Sequence, residues 1–280
     1  MAPRERPQRR PPGRAERSAI AVIGPGALGS FFAARLSKVI PTALVGRDVV
    51  QVPQADWVIV LVKAYDTAAA LRTARRMRAK GVVSLQNGLI ETVPQGVTTA
   101  AAYRDGRRVV PVASGTTLLP RGFEILAKYL RSAGFDARVV SDIRAARLRK
   151  LLANVCLNPV TALFRVRNGE LRKPPYSILA EALALEAAPV LAAEGLAITA
   201  KEAIGRVMEV ARVTARNRSS MLQDLLAGRR TENEHLTGAL LRLARSHRLA
   251  VPTHAAFHRL IRVMERSLES SGQRTMGNVR

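Results

Sequence analysis

The sequence predicts an α/β domain joined to an all-α domain. Three observations carry this: β-rich and helical runs alternate from Ser18 to about Ser141, a glycine-rich hexapeptide follows the first apolar run, and nearly everything from Asp142 onward has helical periodicity. Strands alternating with helices indicate a parallel sheet wound with helices.

The first domain is assigned to 18–141. Ile20–Ile23, Ala43–Val45, Trp57–Val62, Val82–Leu85 and Val109–Val112 read as buried strands, Leu28–Ser37 and Thr67–Ala79 as helices. Gly24-Pro25-Gly26-Ala27-Leu28-Gly29 lies between a strand and a helix, the context in which GxGxxG indicates a dinucleotide. Gly24 permits a tight turn, Gly26 admits a diphosphate close to the backbone, and Gly29 lets helix and sheet approach. The helix start then faces the phosphates with unpaired N–H groups. This makes the α/β unit Rossmann-type. It is shortened, because about eight residues separate Arg47 from Asp56 and the stretch after Asn87-Gly88 is also brief.

The second domain is assigned to 142–270. Asp142–Asn158, Ser177–Glu194, Thr199–Arg216, Ser220–Ala227, Thr231–His247 and Thr253–Glu269 place apolar residues at i, i+3, i+4. Thr199 with Glu202, and Thr231 with Glu234, read as capping boxes. Gly195 and Gly228 stand where helix-ending glycines occur, and Pro252 opens the last helix. Residues 1–17, with six Arg and four Pro, read as a disordered basic tail, and 271–280 as a second tail.

Composition narrows the function. The net charge is +24, from 38 Arg and 7 Lys. The arginines are spread over every segment, and aromatics are only 4%, so platforms for stacking bases are lacking and no specific nucleic-acid partner is expected. No stretch approaching the ~20 apolar residues of a membrane span is seen, nor a secretory leader. The single cysteine, Cys156, sits between Val155 and Leu157 and reads as a small buried hydrophobe. The four histidines show no ligand pattern for a metal.

The candidate site residues fall at strand ends and on one helix stripe. Arg47 follows the second strand, where arginine pairs with a 2′-phosphate and favours NADP, although Asp48 is adjacent. Lys63 and Asn87 lie at the carboxyl ends of later strands, where open α/β sheets bind ligands. Lys150, Asn154 and Asn158 are spaced i, i+4, i+8 and share a helix face. Asparagine is a poor helix-interior residue, so the stripe faces a ligand or forms a buried amide network. Asn168 adds a further amide. Ser219 or Ser220 caps a helix, and Glu232 is an acid in a first helical turn.

The chain resembles the ketopantoate reductase (2-dehydropantoate 2-reductase) family. The resemblance rests on IGPGALGS, VKAYDT, LQNGL, RKLLANVCLNPVTAL, NGEL and SSMLQDLLAGRRTE, in that order, between Ala19 and about Arg262. It implies a cleft between the domains as the active site. It implies that Gly24, Gly26, Ala27, Leu28 and Gly29 line the NADPH diphosphate, with Arg47 at the 2′-phosphate. It implies cofactor-cleft roles for Lys63 and Asn87, and a place for Glu232 near the nicotinamide ribose. Lys150 matches the catalytic lysine, and Asn87, Asn154, Asn158, Asn168 and Ser220 match substrate contacts. The implied reaction is NADPH-dependent reduction of ketopantoate on the route to pantothenate and coenzyme A, with Lys150 as proton donor. The alternatives are a reductase of another small 2-oxo acid or a non-catalytic NADP-binding protein. A cytoplasmic location and a homodimer are the remaining expectations.

Overall fold

The computed structural model describes residues 18–277 except Asp48 and Val50. The tail expected at 1–17 and the final residues 278–280 lie outside the described residues.

Strand β1 (Ser18–Ile23) is followed by α1 (Ala27–Leu36), β2 (Thr42–Val45), β3 (Ala55–Val60), α2 (Thr67–Arg76) and β4 (Gly81–Ser84). The four strands are parallel in the order β2-β1-β3-β4. Apolar runs such as Ala-Ile-Ala-Val-Ile suit a strand covered on both faces. Ile20, Val22 and Ile59 point to a core shared with α1, while Ala21, Val58 and Val60 point to one shared with α2. Residues 46–54 carry the chain from β2 to β3, and no helix is described among them. This is the expected shortening.

The rest of the first domain departs from the expectation. After β5 (Val97–Thr98), β6 (Ala101–Asp105) and β7 (Arg108–Ala113) form an antiparallel ribbon packed over α1. The predicted buried strand Val109–Val112 is therefore a ribbon strand, with Val112 49% exposed. Its Val-Val-Pro-Val content imitates a core strand, but Pro111 cannot donate to a central ladder. Strand β8 (Thr116–Leu119), α3 (Glu124–Ser132) and β9 (Asp136–Val139) complete a second sheet, ordered β5-β8-β9. A parallel bridge between Ser84 and Gln95 ties β4 to the segment leading into β5. Helix α3 turns Leu126, Ala127 and Leu130 onto the α1 face of the core, where Phe32 and Phe135 stack at 4.3 Å.

The helical series begins with α4 (Ile143–Phe164), which Asp142 caps by accepting from the Ala145 N–H. It runs six residues past the predicted end at Asn158, through Pro159, and stops at Arg165 in the left-handed conformation (φ 55°). Helices α5 (Tyr176–Ala193), α6 (Ala200–Val213), α7 (Ser220–Leu226), α8 (Thr237–Ser246) and α9 (Pro252–Gly277) follow. Thr199 and Glu202 form the expected capping box. The box expected from Thr231 and Glu234 does not form. Thr231 donates its hydroxyl to Glu265 and Glu234 pairs with Arg242 and His258, so 3₁₀ residues Asn233–His235 precede α8. Helix α9 continues to Gly277, through most of the second expected tail.

Helix α5 is 18 residues long with mean hydropathy 1.4, so by length and composition it could cross a membrane. Here Ala180, Leu183, Ala184, Ala187, Val190 and Leu191 are buried in the helical core instead. Its Glu186 accepts from the N–H groups of Thr253 and His254 and from His254 Nδ1, holding the start of α9. Burial alone would raise the pKa of this carboxyl. The bonds from the His254 ring, the Thr253 hydroxyl and the two amides outweigh burial and bring it down to about 2. A depressed carboxyl stabilises the fold above its unfolded pKa and stops doing so as pH falls through the folded value. Stability should therefore drop between about pH 4.5 and 2. Glu186→Gln should cost about 1 kcal/mol at neutral pH and weaken that acid dependence, as thermal melts across pH would show.

Candidate active site

The glycine turn sits at the carboxyl end of β1. Gly24 has φ +118°, and a Cβ there would stand 2.7 Å from the Leu61 carbonyl carbon. A Cβ on Gly29 would stand 1.9 Å from the Gly24 carbonyl oxygen. Gly26 differs: nothing lies within 4 Å of its would-be Cβ, so the protein's own packing does not demand glycine there. Gly26 is also the N-cap of α1, which has no side-chain cap and no acid in its first turn. The half-buried Ala27 and Leu28 follow. The first-turn amides thus lack a side-chain cap and open space lies beside Gly26, a cradle that fits a diphosphate. Arg104, from the β6–β7 ribbon, donates to the Pro25 carbonyl beside it.

Arg47, just past β2, is exposed and paired with Asp66. Lys63 and Asn87, past β3 and β4, meet a group from the helical domain. Buried Glu232 accepts from the Ala64 N–H (3.0 Å) through Oε1 and from Asn87 Nδ2 (3.0 Å) through Oε2. Lys63 Nζ lies 3.7 Å from Glu232 and 2.5 Å from buried Asp224, which also accepts twice from Arg229. Burial works to lower the Lys63 pKa, but Glu232 and Asp224 outweigh it and hold the ammonium above the usual lysine value. Glu232 thus precedes a 3₁₀ turn and spans the domains, rather than serving the first turn of an α-helix.

The α4 stripe faces the same cleft. Lys150 and Asn154 line a pocket with Gln86, Gly88, Gln95, Gly96 and Val97 from the first domain and with Arg147 and Leu151 from α4. Lys150 Nζ donates to the Thr98 carbonyl (2.8 Å). Desolvation lowers its pKa to about 8, against a weaker opposing pull from Glu232. Burial in the cleft thus takes it well below the ~10.4 of an exposed lysine. One turn beyond Asn154, Asn158 is buried with no partner for Nδ2.

Of the five substrate candidates, Asn154 lines this pocket, and Asn87, Asn158, Asn168 and Ser220 lie outside its lining. Asn168 donates Nδ2 to Thr214 and keeps a buried, unpartnered Oδ1. Ser219, bonded to the Leu222 N–H and Thr161, takes the cap of α7, leaving Ser220 exposed in its first turn. Cys156 is buried, and desolvation raises its thiol pKa. Sequence reasoning missed Asp224, Gln86, Gln95 and Arg147. An acid among Leu222, Leu225 and Leu226 was a readable sign that Asp224 is buried with a cation.

A Rossmann-type sheet whose carboxyl edge faces a lysine-bearing helical domain defines a class of two-domain, dinucleotide-dependent oxidoreductases. The family described as Ketopantoate reductase PanE/ApbA matches residues 39–120, and its C-terminal domain matches 142–265. A 2-dehydropantoate 2-reductase of Yersinia pestis is 37% identical over 78% of this chain and 77% of its own length. One from Archaeoglobus fulgidus is 36% identical over 78% of this chain and 79% of its own. The chain belongs to the ketopantoate reductase family. Its fold is also that of a dimeric ketopantoate reductase from Staphylococcus aureus (TM-score 0.78, 24% identity, 89% and 99% of the two chains). A D-mandelate dehydrogenase with NADH and anilino(oxo)acetate is equally similar in fold (TM-score 0.81, 23% identity, 91% and 100%).

Proposed function

We propose that this chain reduces 2-dehydropantoate to pantoate with NADPH, supplying the route to pantothenate and coenzyme A, and that Lys150 is the proton donor. One observation carries the reading: the Lys150 ammonium lies in a pocket shared by strand-end residues of the sheet and Asn154 of the helical domain. Bound NADPH supplies the hydride to the C2 ketone. The chain's own groups do the rest. The α1 amides and Gly24, Gly26, Ala27, Leu28 and Gly29 hold the diphosphate. Lys63, Asn87 and Glu232 border the nicotinamide end. Lys150 hydrogen-bonds the ketone oxygen as negative charge grows there and passes its proton to it. With a pKa of about 8, most of it is charged at neutral pH and ready to give the proton up. Asn154, in the pocket wall, orients the substrate, with Asn87, Asn158, Asn168 and Ser220 assigned to it from the family resemblance, and orientation is worth several kcal/mol of barrier.

Arg47 directs the choice of nucleotide. Its exposed guanidinium, held by Asp66, is free to take a 2′-phosphate as well. Arg47→Ala should weaken NADPH binding by about tenfold or more, the worth of a charged hydrogen bond, and leave NADH binding nearly unchanged. Fluorescence titration with both nucleotides checks this, and equal effects would remove the NADP assignment. The function itself is tested by following NADPH consumption with a panel of 2-oxo acids. Preference for 2-dehydropantoate supports the reading. Turnover of other 2-oxo acids alone overturns the substrate, and nucleotide binding without any turnover overturns the activity. Gel filtration tests the proposed homodimer.

A further inference from the structure

Arg147 stands one turn before Lys150 on α4. Its side chain is only 10% exposed. One end is committed: Nη2 donates to the Ile90 carbonyl (3.2 Å) and to the exposed Glu91 carboxylate (2.7 Å). Nε is buried and has no partner. The residue lines the same pocket as Lys150 and Asn154. A buried N–H of a charged group left without an acceptor costs about 1–3 kcal/mol or more, so this donor suits an acceptor brought from outside.

The other walls of the pocket do not supply one. Gln95 accepts from the Ile90 N–H and donates to the Gln86 and Gly88 carbonyls. Gln86 is bonded to Ser84, Thr67 and the Val62 carbonyl. No carboxylate is among the lining residues, which carry two cations, Arg147 and Lys150. Such a pocket favours an anion.

We propose that Arg147 binds the carboxylate of the 2-oxo acid, with Nε donating to one carboxylate oxygen while Lys150 holds the neighbouring ketone oxygen. This rests on reading the chain as a 2-oxo acid reductase. In such an acid the carboxylate carbon is bonded directly to the ketone carbon. Side chains at i and i+3 are neighbours on a helix surface, about 5–6 Å apart at Cβ, so one helix face can grip both groups. Arginine suits the task because its fork braces Ile90 and Glu91 with one nitrogen and reaches substrate with another. A lysine has one nitrogen for both jobs.

The test compares 2-dehydropantoate with its uncharged methyl ester in wild type, R147Q, R147K and E91Q. R147Q should raise KM for the acid about 10- to 100-fold, as expected for a lost charged hydrogen bond. Its KM for the ester, its kcat and its affinity for NADPH should change little. R147K should restore only part of the affinity, and E91Q should leave the acid-to-ester preference intact. If acid and ester KM rise equally, or E91Q reproduces R147Q, Arg147 only braces the loop and the proposal fails. It also fails if folded R147Q binds the acid normally. Should wild type reduce a different 2-oxo acid, the comparison runs with that acid and its ester, which separates this proposal from the choice of substrate. Calorimetric titration of wild type and R147Q with pantoate reads the same contact without turnover, and equal affinities overturn it.

Discussion

Lys150→Ala should lower turnover by about 10²–10⁴-fold, the usual worth of a positioned acid, and leave NADPH affinity within a few-fold. The side chain reaches the cleft from α4 and donates to the Thr98 carbonyl of the first domain, while most of the proposed nucleotide contacts lie on the sheet edge. Removing it should therefore spare the nucleotide and leave the developing oxyanion bare. The pH profile gives a second check. The ammonium is the competent form, and desolvation sets its pKa at about 8. The rate should decline as pH rises through about 8, well before the ~10.4 at which an exposed lysine would lose its proton. Steady-state kinetics across pH reads both effects. Undiminished turnover in the alanine variant would remove the mechanism.

The second large effect is expected from a pair of glycines three residues apart. Gly29→Ala puts a methyl 1.9 Å from the Gly24 carbonyl oxygen, a backbone atom that cannot rotate away. Helix α1 must then move off the turn, at about 1–3 kcal/mol of overpacking cost and with its first-turn amides misaimed. Both melting temperature and NADPH affinity should fall. Gly26→Ala meets nothing within 4 Å, so it should melt normally yet bind NADPH weakly, because its methyl occupies the cradle. Calorimetry and nucleotide titration on the two variants separate packing from binding. Unaltered NADPH affinity in Gly26→Ala would show that the diphosphate lies elsewhere.

What the sequence disclosed depended on how far each residue's reasons were local. Ser18–Ile23 and Ala55–Val60 are apolar because both their faces are covered, and such strands announce themselves. Strands β8 and β9, four residues each and partly polar, do not. Thr231 and Glu234 had the spacing of a capping box, but Glu265, Arg242 and His258 arrive from other elements and take them first. The site divides in the same way. The glycine turn and the i, i+4 stripe from Lys150 are written in adjacent residues. Glu232 is not: its partner Ala64 lies 168 positions away, and only the folded chain reveals that the acid serves the opposite domain. The lowered pKa of Lys150 was likewise hidden, since burial belongs to the assembled cleft.

The Glu232 bridge has a consequence for how the two halves can exist. A helical fragment made alone would present Asp224 and Glu232 with the lysine, amide and main-chain donor they were shaped for all missing. A sheet fragment made alone would keep Lys63 and Asn87 with no carboxylates to answer them. Each half keeps an apolar core of its own, so either one made alone should still fold, but with a lower melting temperature than the joined chain.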